Sequence, residues 1–173
     1  VLPTVACLVF LIAAQTPAVA ADDRATANEV SRAIPRASVA LGETGKGPIA
    51  VVVDPFGGVY TADSRANTVT KLTPEGDSSV LGTTGRAPTA LALDSLGNVY
   101  TANSGDNTVT KITPAGVSTL FGSTGNKPMG IKVDAAGNVY TSNYLDSTVT
   151  KISAAGVSAT LAATGIHPLG LAL

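Results

Sequence analysis

Few side chains in this chain can carry chemistry. His167 is its single histidine and Cys7 its single cysteine. An imidazole titrates near neutrality and can act as acid, base or ligand. One His and one Cys assemble neither a Ser/His/Asp nor a Cys/His set. The carboxylates are more regular: Asp54, Asp94 and Asp134 stand 40 residues apart. Each opens a stretch rich in Gly and Asn, where an Asp accepts hydrogen bonds from turn amides. The reading is therefore three turn-stabilising Asp and no metal ligands. Tyr60, Tyr100 and Tyr140 keep the same spacing, as do Lys71, Lys111 and Lys151. The tyrosines read as packing residues between layers, and the lysines as solvated outer-strand residues that discourage edge pairing.

The spacing extends to the whole sequence from residue 44 onward. Thr44, Thr84, Thr124 and Thr164 each open a T-G-x-x-P, at steps of 40 residues. A fixed period of this size means a repeat architecture. In the second copy, Pro88 sits where a strand begins, since it lacks a ladder donor. Thr89 to Leu93 is a short apolar run of strand length. Asp94 to Asn98 is a turn. Val99 to Ala102 alternates β-branched and aromatic residues as a second strand. Asn103 to Asn107 reads as a polar loop, Thr108 to Thr113 as a third strand, Pro114 to Gly116 as a turn and Val117 to Phe121 as a fourth strand. No room is left for a helix. Four short antiparallel strands per 40 residues predict an all-β fold, a β-propeller of four-stranded antiparallel blades. A single such sheet is apolar on both faces and must stack on its neighbours to bury them.

At these residues the chain resembles the NHL-repeat propeller family, whose pattern is P-x-G-[IV]-A-V-D-x-x-G-N-[VL]-Y-V-A-D. The third copy runs Pro128-Met129-Gly130-Ile131-Lys132-Val133-Asp134 and on through Gly137-Asn138-Val139-Tyr140. The likeness covers residues 44–173. It implies a propeller but no single chemistry, because the family includes secreted binding domains, kinase sensor domains, RNA binders, lyases and lactonases. Streptogramin-lyase relatives use a metal held by His and Glu on the loop face, and lactonase-type propellers an acidic and Asn metal site in the central channel. From residue 38 onward, Glu43 and Glu75 are the only Glu, so neither set is assembled here.

Three full copies (44–83, 84–123, 124–163) are followed by a partial one at 164–173. The expectation is an incomplete ring, a fragment whose missing blades, or self-association, would close it. Residues 22–37 read as a linker and a degenerate half-repeat, with propeller blades taken from residue 38 onward. Ser38 to Gly42 echoes Ser78 to Gly82, and the half-repeat would supply the outer strands of a closing blade. Residues 1–21 have the apolar core and A-x-A-like end of a signal peptide, with an uncleaved membrane anchor as the alternative. The expected location is secreted, periplasmic or cell-surface.

In a propeller the loop from fourth to first strand and the loop from second to third strand emerge together. Here those loops are where the copies differ most. The candidate ligand-face residues are Lys46, Arg65, Arg86, Asp106, Lys127, Tyr144, Asp146 and His167. Variable loops on a repeated framework are how a scaffold presents a binding surface. The expected function is a non-catalytic binding module for a protein or glycan, with no cofactor. The alternatives are a fragment of a streptogramin-lyase-like or lactonase-like enzyme and a structural repeat segment. The charge of −1 and the absence of a basic run argue against nucleic acid.

Overall fold

A computed structural model describes residues 40–173. The expected signal peptide or anchor, and the half-repeat as far as residue 39, lie outside the described residues. Twelve strands follow in order. The first sheet holds β1 (Pro48–Val53), β2 (Val59–Asp63), β3 (Thr68–Leu72) and β4 (Ser78–Thr83). The second holds β5 (Pro88–Leu93), β6 (Val99–Asn103), β7 (Thr108–Ile112) and β8 (Ser118–Ser123). The third holds β9 (Pro128–Val133), β10 (Val139–Asn143), β11 (Thr148–Ile152) and β12 (Ser158–Ala163). Each sheet is antiparallel with its strands in chain order. These are the blades of a β-propeller, present as part of a ring.

Each Asp-x-x-Gly turn between the first two strands builds itself. In the second blade Asp94 Oδ1 accepts from the backbone N–H of Leu96 and of Asn98, both at 2.9 Å. Gly97 takes φ +78°, which its missing Cβ allows. The turn between third and fourth strands lies beside it, so that a Cβ on Gly97 would sit 3.4 Å from Pro114. These two turns form one face of the propeller, the turn face.

The core lies in the seams between blades. In the first seam Tyr60 and Val69 of one blade meet Val99 and Ile112 of the next, flanked by Leu81, Leu91 and Leu93. In the second seam Tyr100, Ala102 and Val109 meet Ile131, Val139 and Ile152. Phe121 meets the Tyr100 ring edge-on at 5.1 Å, a favoured aromatic geometry. The fourth strand of each blade also crosses the next. The Leu81 carbonyl lies over Gly116, and the Phe121 carbonyl over Gly156. The Leu41 carbonyl lies over Gly76 in the same way. Residues 40–43 thus occupy the place that an outer strand of a preceding blade would take, and they bury Leu72.

Two sequence readings need correction. Asn103 is the last residue of β6 and fully buried, not the start of an exposed loop. Its Oδ1 accepts from Thr101, and its amide donates to the hydroxyls of Thr108 and Thr110 at 3.1 and 2.9 Å. Asn143 repeats this. Asp63 takes the same place in the first blade, with the Thr61, Thr68 and Thr70 hydroxyls donating to it. The lysines do not border the sheet edge either. Lys111 sits on the third strand opposite Tyr100, and its ammonium lies 5.5 Å above that ring.

Candidate functional site

The face opposite the turns carries the variable loops. Its two loop sets touch within each blade, as the sequence reading requires. Ser64 N–H donates to the Gly47 carbonyl at 2.8 Å, Ser104 N–H to Ala87 at 3.0 Å, and Tyr144 N–H to Lys127 at 3.0 Å. The loops are pinned between blades as well. Asn67 Oδ1 accepts from Ala87 N–H at 2.8 Å, and Asn107 Oδ1 from Lys127 N–H at 2.9 Å. Asn67 and Asn107 take φ of 57°, a region Asn tolerates. They staple one blade to the next rather than merely closing their own loop.

Ala87, Lys127 and His167 have φ of 50°, 55° and 57° at equivalent positions. A side chain there is held in a costly backbone conformation, and such strain persists only when its surroundings impose it. The staples impose it at Ala87 and Lys127.

The structure places the predicted residues as follows. Lys46 and Arg65 are both exposed in the first blade, and Arg65 N–H donates to the Lys46 carbonyl at 3.1 Å. Arg86 is exposed in the second blade, beside Asp106. Asp106 Oδ2 accepts from the Arg86 backbone N–H, and Asp146 Oδ2 from that of Asn126 at 2.6 Å. These two carboxylates thus each hold a loop through one backbone amide. Lys127, Tyr144 and His167 are brought together. The His167 ring stacks on Tyr144 at 4.2 Å with an 11° tilt, and the Lys127 ammonium lies 5.2 Å from the Tyr144 ring centre. Sequence reasoning named these three residues singly but missed the cluster. In the other copies Ser64 and Ser104 replace Tyr144, so the repeat gives no hint of it.

The turn face holds a unit that recurs in every blade. Tyr60, Tyr100 and Tyr140 each donate their hydroxyl to Asp54, Asp94 and Asp134 at 3.1 Å, under Lys71, Lys111 and Lys151. Burial alone would raise the Asp94 carboxyl, but bonds from Asn98, Tyr100 and Leu96 outweigh it and hold it below its ordinary range. Asp54 is lowered likewise against the cost of burial, by the Gly58 and Phe56 amides, Tyr60 and the charge of Lys71. Asp134 is lowered foremost by the Asn138 side chain. Burial, then the charge and hydrogen bond of Asp94, push Tyr100 up to about 12. These Asp are structural, as their turn context implies. Among the described residues no group of three or more His, Cys, Asp or Glu gathers to hold a metal.

Comparison with solved structures returns propellers. The chain is similar to virginiamycin B lyase from Staphylococcus aureus, with a TM-score of 0.63 and 19% identity over 72% of this chain and 45% of that one. A streptogramin B lyase structure gives 0.60 and 20% over 74% and 45%. A chain of a nidogen/laminin complex gives 0.63 and 20% over 73% and 52%. No protein-family model matches the sequence, and no curated protein does. The chain spans about half the length of the solved structures it matches. At these identities the likeness shows the propeller fold.

Proposed function

We propose that this chain is part of a secreted or surface-attached propeller that binds a protein through its loop face, without catalysis. One observation carries the reading. A framework repeated at 40-residue steps holds strained, stapled loops whose outward side chains differ from blade to blade. On that face Asp106 and Asp146 each hold a loop through one backbone amide. Lys46, Arg65 and Arg86 remain for recognition, with the Lys127–Tyr144–His167 cluster beside them. Charge displayed this way favours specificity and association rate. The matched chain of the nidogen/laminin complex is a propeller of similar fold in a protein complex. A photo-crosslinking side chain at position 65 or 86 is expected to capture a saturable partner that the same group at Glu75, on the turn face, does not. Equal capture from both faces would refute the reading.

The likeness to two lyase structures favours a second reading, a segment of a lyase. It predicts turnover of a streptogramin B by the intact protein in the presence of a divalent metal, lost on His167→Ala. Turnover unchanged by that substitution, or no turnover, would dismiss a catalytic role for this segment.

A further inference from the structure

A groove of about 420 Å³ opens at the outer corner of the second blade, beside the segment that crosses to it from the first. That volume is in the range of small-molecule pockets. Thr83, Thr84 and Gly85 line it from the crossing segment, and Thr108, Ser118 and Leu120 from the second blade. Asp106, from the loop face, is its only charged lining residue. The groove therefore offers hydroxyls and one carboxylate, with no cation to draw an anion.

Its polar groups are only partly used. Asp106 Oδ2 accepts from the Arg86 backbone N–H, and among the described residues nothing donates to Oδ1. Thr108 Oγ accepts from the Asn103 amide at 3.1 Å, which leaves its own proton to donate. Ser118 differs from its counterparts. Ser78 Oγ donates to the Glu43 carbonyl at 2.6 Å, and Ser158 Oγ accepts from Ser123 N–H at 3.1 Å. The Ser118 hydroxyl is buried without a partner, the one such side-chain atom among the described residues. A buried unpaired hydroxyl is destabilising, and a turn about χ1 towards the groove forfeits no bond. The other blades lack the full set. Ala66 stands at the place of Asp106 in the first blade, and Ala159 and Thr160 at those of Thr119 and Leu120 in the third.

We propose that this groove binds a neutral pyranose sugar. Two neighbouring ring hydroxyls donate to Asp106 Oδ1, whose lone pairs are unused. Thr108 and Ser118 supply hydroxyls to the other polar groups of the sugar. Leu120, 71% exposed, covers the apolar C–H side of the ring. A sugar suits this lining because it brings donors, acceptors and an apolar face without charge. The site does not rest on the protein-binding reading, since it uses none of the loop-face cations and its test needs no protein partner.

The test is an amide NMR titration of the 173-residue chain with the methyl glycosides of glucose, galactose and mannose. The amides of Gly85 and Thr119 report the groove, and those of Gly125 and Ala159 the equivalent place in the third blade. Saturable shifts are expected at Gly85 and Thr119 with at least one glycoside, and none at Gly125 and Ala159. Cyclohexanol, an apolar ring without the diol, should give no saturable shift. Asp106→Asn keeps an acceptor for the Arg86 amide and should bind about fivefold more weakly, the difference between a charged and a neutral acceptor. Ser118→Ala should bind about threefold more weakly with an unchanged or higher denaturant midpoint, because no bond within the fold is lost. Ser158→Ala should lower that midpoint and leave the titration as it was. No saturable shift with any glycoside would overturn the proposal, and shifts with calcium chloride in their stead would assign the groove to a cation. Glycoside binding unchanged by both Asp106→Asn and Ser118→Ala would overturn it as well.

Discussion

The bond between Asp94 and Tyr100 should behave as a coupled unit. Tyr100 is 2% exposed in the second seam, and its hydroxyl donates to Asp94 Oδ2 at 3.1 Å. Removing the donor by Tyr100→Phe loses one bond to a charged acceptor, a cost of about 1–2 kcal/mol. Asp94→Ala is worse. The turn amides of Leu96 and Asn98 can turn to water, but the Tyr100 hydroxyl is left without its acceptor. The orphaned hydroxyl and the loosened Asn98 together cost about 3 kcal/mol. In the double variant no hydroxyl remains to be orphaned. Its loss should fall below about 3 kcal/mol, well short of the sum, a coupling of at least about 1–2 kcal/mol. Urea unfolding followed by far-ultraviolet circular dichroism on the four proteins measures this. The same cycle at Asp134 and Tyr140 is the control. Tyr140 is only half-buried, so water can replace the carboxylate and the two losses should be nearly additive. Additivity within about 0.3 kcal/mol at Asp94 and Tyr100 would refute the claim that the turn is tied to the seam through this bond.

Three further outcomes follow from the same geometry. Asp54, Asp94 and Asp134 are all lowered from an ordinary value of 3.8, so their contribution is complete above that value. It is lost as pH falls through the lower folded values, because the unfolded chain takes up protons first; denaturant midpoints should be flat near neutrality and fall below about pH 4. Tyr100, raised to about 12, should ionise above the ordinary tyrosine range in an absorbance titration, and its added stability should disappear as pH rises from about 10 towards that value. Gly85→Ala should destabilise by about 1–3 kcal/mol in the same denaturant assay, since its Cβ would lie 2.8 Å from Asn103 Nδ2.

Much of the fold was legible in the sequence, and the reasons are local. Pro88 opens a strand because it has no donor to lose. Asp94 and Gly97 fix a turn because one accepts amide bonds and the other takes positive φ. The alternation in Thr108 to Ile112 reaches only two faces, and both are covered by neighbouring blades. The parts that were illegible depend on strand pairing and register. Asn103 looks like a loop residue because it is polar. It is buried because hydroxyls of Thr101 on its own strand and of Thr108 and Thr110 on the next satisfy it, a strand-pairing contact that polarity alone does not reveal, although the recurring threonines were an available local signal. The raised place of Lys111 over Tyr100 depends on strand register, which composition does not reveal. On the loop face the pattern of variation marked loops that touch in pairs within each blade. It did not distinguish Asp106 and Asp146, which hold loops, from Lys46, Arg65 and Arg86, which are simply exposed. The positive φ at Ala87, Lys127 and His167 runs against residue preference, so only the geometry shows it.

The loop face is the centre of the account, and reversing its charge tests it most directly. In the intact protein, Lys46, Arg65 and Arg86 would be changed together to Glu. All three are exposed, and exposed substitutions away from special features change stability by only about 0.5 kcal/mol. Circular dichroism and the denaturant midpoint should therefore stay close to those of the parent chain. The account predicts that the partner captured by the crosslinker at the loop face is lost from this variant and kept by a variant reversed at Glu75 and Asp77, which are exposed on the turn face. Undiminished capture by the loop-face variant, with its fold intact, would contradict it.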